Sequence, residues 1–309
     1  MARVVENKDN LLLIGFLLGA GLLLLLGRSL IKDQVMVTWG LTFSGTTAVV
    51  ILLASLYRVQ LELRASQHEL ARKEAEINFA LEVQQALFPR YLPANSSLDF
   101  TAICIPARGV SGDYYDVIQF SQGRLVFAIA DVSGKGISAA ILVSNLQAVF
   151  RLLAESGAPP EEICARINTH LHQVTDSSKF ATFFYAEWDE TTHLLRYVNA
   201  GHHAPLLIGR ERKCRLEKGG MPLGILPNAK FQAGEVQLYP GDLIVLFSDG
   251  IIEANSTEGE EFGEARLETL VRECLDLPVG EIQDRILKAI AEWGSVEDDM
   301  TLLIARVKE

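Results

Sequence analysis

Ser111-Gly112-Asp113-Tyr114-Tyr115-Asp116 and, one short turn later, Asp131-Val132-Ser133-Gly134-Lys135-Gly136 bracket the stretch whose reading decides the fold. Between them, Tyr114 to Phe120 and Leu125 to Ala130 are apolar runs of strand length joined by a turn that contains Gly123, which predicts a β-hairpin. Each motif places a carboxylate where an apolar run meets a turn. Ser248-Asp249-Gly250, after the run Leu243 to Phe247, and Asp298-Asp299-Met300-Thr301, before the last apolar run, repeat the arrangement. Strand ends of this kind can converge in the folded chain, and a set of carboxylates there predicts oxygen ligation of a hard divalent cation.

Outward from the hairpin, strand-like runs are expected at Phe100 to Ile105, Ala181 to Trp188, Leu194 to Asn199, Leu206 to Gly209, Glu235 to Leu238 and Thr301 to Val307. Helical spacing marks Ile137 to Ala154, Glu161 to Val174, Ala265 to Leu275 and Val279 to Trp293. Blocks of strands alternating with pairs of helices argue for an α+β domain, an antiparallel sheet core covered by helices, over residues 94–309. Cys104, Cys164, Cys214 and Cys274 share no short spacing and read as reduced thiols without a zinc or disulfide role.

The first sixty residues differ in kind. Leu11 to Gly27 and Val35 to Tyr57 carry no charge, which predicts transmembrane helices at about 11–31 and 35–57 and a membrane anchor over residues 1–57. A cleavable signal peptide is disfavoured because no small-x-small pattern follows the first run. Arg28 and Lys32 in the connecting loop compete with Arg3, Lys8, Arg58 and Arg64 at the ends, a balance that mildly favours both ends inside. The expected location is therefore multi-pass in the inner or plasma membrane, with the catalytic domain cytoplasmic. Residues 58–93 predict a linker helix: Leu56, Leu63, Leu70 and Ile77 recur every seven residues, with Leu81 and Phe88 at companion positions otherwise filled by Gln60, Gln67 and Glu74. That half-seam suits a homodimer, and it equally suits a helix packed on its own domain. The formal charge of -11 argues against a nucleic-acid partner.

Together with Ala86-Leu87-Phe88-Pro89, Asn199-Ala200-Gly201-His202, Leu223-Gly224 and Asp249-Gly250-Ile251-Ile252-Glu253-Ala254, the aspartate motifs resemble the metal-dependent serine/threonine phosphatases of the PPM superfamily, which are protein phosphatase 2C-like, and in particular their bacterial sporulation and stress-response branch. The resemblance implies an antiparallel β-sandwich flanked by helix pairs and hydrolysis of phosphoserine or phosphothreonine by water activated between two divalent cations, Mn2+ or Mg2+. It implies Asp131 as bridging ligand with the Val132 carbonyl beside it, Asp249 and Asp298 completing one shell, and Asp113 on the other side. Asp298 rather than Asp299 takes the first position of the family's paired residues.

Several positions keep more than one reading. Arg108 matches a phosphate-contacting arginine of the wider superfamily, and it would also serve as a solvated strand-end charge. Lys135 and His202 are candidate substrate or leaving-group contacts, with a structural role for His202 beside Gly201 equally open. Asp116 reads as supporting or structural, and Gly134 and Gly136 as turn residues before a helix rather than a phosphate cradle. The substrate implied by the family branch is a phosphorylated anti-sigma-factor antagonist. The competing functions are a small-molecule phosphoesterase with the same site and a non-catalytic signalling scaffold.

Overall fold

The computed structural model describes residues 19, 21, 22, 25, 34–93, 97–107, 109–175 and 178–308. The expected span at 11–31 lies, apart from four positions, outside the described residues. Two compact units divide the chain, Met1–Glu74 and Ala75–Glu309.

In the first unit the main element is the start of helix α1, Gln34–Gln85, which has 52 residues and crosses the unit boundary. The second expected span and the linker are one uninterrupted helix. No glycine or proline interrupts Leu56 to Glu74, so nothing breaks the i to i−4 ladder there. The first half exposes Trp39, Leu41, Phe43, Val49 and Leu52, which fall on more than one face of the helix. Its few hydroxyls bond back to the helix: Thr42 Oγ1 donates to the Thr38 carbonyl at 3.0 Å and Thr47 Oγ1 to that of Phe43 at 2.8 Å. A helix this apolar, with its polar groups satisfied internally, is long enough to cross a membrane. Farther along, Leu56, Leu63 and Leu70 are exposed.

The second unit begins with the last turns of α1. The helix ends at Gln85 rather than at Phe88, because tighter turns from Ala86 N to Val83 O (3.2 Å) and Leu87 N to Gln84 O (2.9 Å) close it, and Pro89 bars Phe88 from helical geometry. There follow β1 (Leu98–Ile105), β2 (Asp113–Gln119), β3 (Arg124–Val132), helices α2 (Ile137–Glu155) and α3 (Pro160–Val174), β4 (Ala181–Asp189) and β5 (Leu194–Ala200). Shorter strands come next: β6 (Leu206–Ile208), β7 (Lys213–Arg215), β8 (Gly219–Gly220), β9 (Gly234–Gln237) and β10 (Leu243–Phe247). The chain closes with α4 (Asp249–Ile252), β11 (Asn255–Ser256), α5 (Glu264–Glu273), α6 (Val279–Trp293), β12 (Gly294–Ser295) and β13 (Met300–Val307).

Two main sheets result, one ordered β1-β13-β10-β6-β7 and one β2-β3-β4-β5-β8 with β9 on the side of β5, and β11 pairs with β12 in a separate two-stranded sheet. Among the described residues every pairing is antiparallel except β5 with β8. Their inner faces meet in a core of Tyr115, Val117, Phe127, Ile129, Phe184 and Trp188 from one sheet and Phe100, Ile244, Leu246 and Leu303 from the other. The period of two in a strand turns Tyr114, Val126, Ala128 and Ala130 to the outer face, where α2 and α3 cover them. Helices α5 and α6 cover the other sheet through Leu267, Val271, Ile282 and Ile286. Helix α2 is itself long and apolar enough for a membrane span, but Leu142, Val143, Leu146 and Phe150 are buried against the sheet, so it is a core helix.

Candidate active site

Register places the first two carboxylates. In the β2–β3 pair Asp113 stands opposite Asp131, and in the β3–β4 pair Asp131 stands opposite Thr182. Asp113 shares the inner face of β2 with Tyr115 and Val117, and Asp131 shares that of β3 with Phe127 and Ile129. In the other sheet β10 ends at Phe247 where antiparallel β13 begins at Met300, which puts Asp249 and Asp298 at one end of that sheet. Burial and the charges of Asp249, Asp298 and Asp299 push the Asp131 carboxyl up to about 7, partly opposed by Lys135. Asp249 is raised by burial and by Asp298, and Asp113 is raised by burial and by Asp131. The four aspartates therefore gather at one end of the sandwich, two from each sheet.

The neighbouring residues separate into distinct jobs. Asp299 uses both oxygens on backbone, accepting from Ala107 N at 2.8 Å and from Gly112 N at 2.6 Å, so it ties down the loop that carries Asp113. Asp298 accepts from Asp299 N at 3.0 Å and from Lys135 Nζ at 2.7 Å. Gly250 is required beside them, because a Cβ there would collide with the Asp299 carbonyl. Gly136, with φ of +71°, reverses the chain before α2. Asp116 belongs elsewhere: it lies on the outer face with Tyr114, whose hydroxyl donates to it, and Arg151 grips it with Nε at 2.7 Å and Nη2 at 3.0 Å. Arg108 lies outside the described residues.

His202 is buried, and burial with neighbouring His203 pulls its imidazole down to about 3. Its Nδ1 lies 2.8 Å from Thr182 Oγ1, which reaches the Asp131 carbonyl at 3.3 Å, and its backbone N–H donates to Asn199 Oδ1 at 2.8 Å. Nε2 is buried without a partner. Two residues with no motif signal also belong here. Gln84, in the last turn of α1, is 3% exposed; its Nε2 donates to Ser111 O at 2.6 Å and its Oε1 accepts from Ser111 N at 2.8 Å. His203 faces the opposite way from His202, with its ring over Phe247. A second consecutive histidine is the hint the sequence offers for His203, and for Gln84 it offers none.

Among the described residues no three histidine, cysteine or carboxylate side chains stand at metal-binding distance. Like charges resist close approach, and Lys135 holds one oxygen of Asp298. The donor set still fits a hard divalent cation. Its members are all carboxylates, burial and neighbouring carboxylates raise Asp113, Asp131 and Asp249 in a way that a cation would relieve, and Asp113 Oδ2 is buried with no hydrogen-bond partner.

Comparison with known proteins decides the lineage. The family profile described as Stage II sporulation protein E (SpoIIE) matches residues 121–308. The chain belongs to the SpoIIE family. Phosphoserine phosphatase RsbU of Bacillus subtilis is 33% identical over 264 residues, covering 84% of this chain and 77% of RsbU. Phosphoserine phosphatase RsbP of the same organism is 25% identical over 208 residues, covering 64% and 50%. Among solved structures, the SiaA-PP2C domain of Pseudomonas aeruginosa superposes with a TM-score of 0.70 at 19% identity, covering 77% of this chain and 98% of that domain. The RsbU and RsbW domains of Rv1364c from Mycobacterium tuberculosis give 0.61 at 26% identity, covering 68% and 60%. The globular unit is thus a PP2C-type phosphatase domain of the SpoIIE family, and PP2C-type phosphatases depend on divalent cations.

Proposed function

We propose that this SpoIIE-family member is a membrane-anchored protein-serine/threonine phosphatase that acts on a phosphorylated cytosolic regulatory protein of the anti-sigma-factor-antagonist type. The observation that carries the reading is the gathering of Asp113, Asp131, Asp249 and Asp298 from two sheets in a chain 33% identical to a phosphoserine phosphatase. Two divalent cations, Mn2+ or Mg2+, held by these aspartates and the Val132 carbonyl would supply Lewis acidity toward water and the phosphoryl oxygens. The chain's own residues set the stage for them. Asp299 and Gln84 hold the Asp113 loop from two sides. His202 through Thr182 steadies the backbone at Asp131. Arg108 is assigned to the phosphate as a bidentate donor.

Membrane anchorage rests on the apolar, outward-facing first half of α1, and a multi-pass arrangement adds the uncharged run Leu11 to Gly27. The exposed Leu56, Leu63 and Leu70 support pairing of two copies along α1. The domain division proposed is anchor 1–57, linker 58–93 and catalytic domain 94–309.

Full-length protein in detergent is tested for Mn2+- and Mg2+-dependent phosphate release from phosphoserine proteins beside small phosphoesters. Release from the proteins that Asp249→Asn abolishes is the expected result. Release from small esters alone would support the metabolite phosphoesterase, and Asp249→Asn with full activity would overturn the site.

A further inference from the structure

Among the described residues Lys135, Lys179, His202 and His203 are cationic or imidazole side chains near the carboxylate end, Lys179 with its Nζ beside Gly134, and their surroundings set them apart. Lys135 is paired with Asp298 at 2.7 Å. His202 is buried with Nδ1 committed to Thr182. His203 alone combines a fixed ring with access to solvent. Its side chain is 38% exposed, its ring stacks on Phe247 at 6.1 Å and 25°, and its Nδ1 lies 3.8 Å from Glu264 Oε1.

The frame around that ring is built from several elements. Gly201, with φ of +72°, turns the chain just before the two histidines. Phe247 is the last residue of β10, two before Asp249, so the stack fixes the imidazole against the strand that delivers a site carboxylate. Glu264 opens α5 and is itself paired with Arg215 of β7. A carboxylate 3.8 Å from Nδ1 attracts that edge of the ring as an ion pair rather than through a direct hydrogen bond, and it leaves Nε2 as the working atom. The charged and titratable groups facing His203 are Glu264 from α5, Arg215 from β7, Asp249 and Glu253 at α4, and His202 beside it. The ring lies over the last residue of β10, and the turn that follows it carries Asp249, so His203 sits at the end of the sheet where the carboxylates gather.

We propose that His203 is the catalytic residue that protonates the leaving oxygen of the phosphoester, with Glu264 as its positioning residue. This rests on the phosphatase reading above. The phosphorus bond to the serine oxygen breaks, and that oxygen takes the proton from His203 Nε2. The oxygen of a water forms the new bond to phosphorus, and a proton of that water, passed through solvent, restores His203. The sum is phosphoserine plus water giving serine and phosphate.

The test compares leaving groups in full-length protein. A serine alkoxide needs a proton to depart, and p-nitrophenolate does not. In His203→Ala and His203→Asn, kcat on a phosphoserine peptide should fall about 100-fold, and kcat on p-nitrophenyl phosphate should fall less than about tenfold. Both substrates are measured in one preparation, so any loss of folded protein cancels in the ratio. Glu264→Gln should move the ratio in the same direction by a smaller factor. An unmoved ratio in the His203 variants, beside a wild type active on both substrates, overturns the assignment of His203 and leaves the phosphatase reading standing. A wild type that releases phosphate from neither substrate overturns the phosphatase reading itself.

Discussion

Gln84→Ala is expected to loosen the Asp113 loop without unfolding the domain. The side chain makes two hydrogen bonds to the backbone of Ser111, at 2.6 and 2.8 Å, and is 3% exposed. Removing it leaves one buried N–H and one buried carbonyl without partners, at about 1–3 kcal/mol each. A pocket of about 210 Å³ lined by Leu81, Gln85, Phe88, Cys104 and Tyr115 adjoins the position and gives water a way in, which favours the low end, about 2 kcal/mol in all. If the loop must be docked for Asp113 to face Asp131, that cost appears as a roughly 30-fold higher Mn2+ concentration for half-maximal phosphate release. The assay is a Mn2+ titration of phosphate release, with hydrogen exchange at Gly112 and Val132, whose amides bond to Asp299 and to the Gly112 carbonyl. Gln84→Glu, which keeps the acceptor and loses the donor, should fall between. A Mn2+ midpoint and exchange rates that stay at wild-type values in Gln84→Ala would refute the coupling.

Other perturbations have signs that follow from the same coordinates. Asp116→Asn should destabilise the domain by about 2–3 kcal/mol in urea unfolding followed by tryptophan fluorescence, below the usual cost of a broken buried pair because Arg151 is 44% exposed and can rehydrate. In chelator, wild type should lose stability relative to Asp131→Asn as pH rises from about 4 to 7, because Asp131 at about 7 binds a proton in the folded state that the unfolded chain has released, whereas His202, held at about 3, contributes the opposite slope to both proteins and cancels in the comparison. That relative loss is fully present above pH 7, and Mn2+ should reverse it; a wild-type melting temperature that climbs relative to Asp131→Asn over this range would contradict the electrostatics. Gly250→Ala should displace the Asp298-Asp299 turn and reduce phosphate release at least tenfold, since the added Cβ meets the Asp299 carbonyl; activity at the wild-type level would show that the turn yields.

Alternation made most of the sandwich readable in advance. The runs at Leu243 to Phe247 and Val279 to Trp293 match β10 and α6 residue for residue, the first as an unbroken apolar run buried on both faces and the second through Val279, Ile282, Ile286 and Ile290 at helical spacing. The Asp113–Asp131 pairing follows from a hairpin whose turn at Gly123 could be seen. Strands β7, β8, β11 and β12 carried no such signal, being two or three residues long and held by long-range bonds such as Asn199 N to Lys218 O at 2.9 Å. The histidines show the same limit. Which of His202 and His203 turns inward depends on Thr182 across the sheet as well as on the backbone at Gly201, and Thr182 is not local to the pair. Gln84 was invisible for a related reason: 27 residues separate it from Ser111, and only the folded chain brings them together.

The two-sheet origin of the aspartates has a mechanical meaning. Within each sheet hydrogen bonds run from strand to strand, and between the sheets the inner faces offer side-chain packing. A cation gripped by Asp113 and Asp131 on one side and Asp249 and Asp298 on the other would act as a rivet across that seam. Its tension would be felt in the breathing of the whole sandwich, so the ion that enables chemistry would also set how firmly the two halves of the domain stay shut.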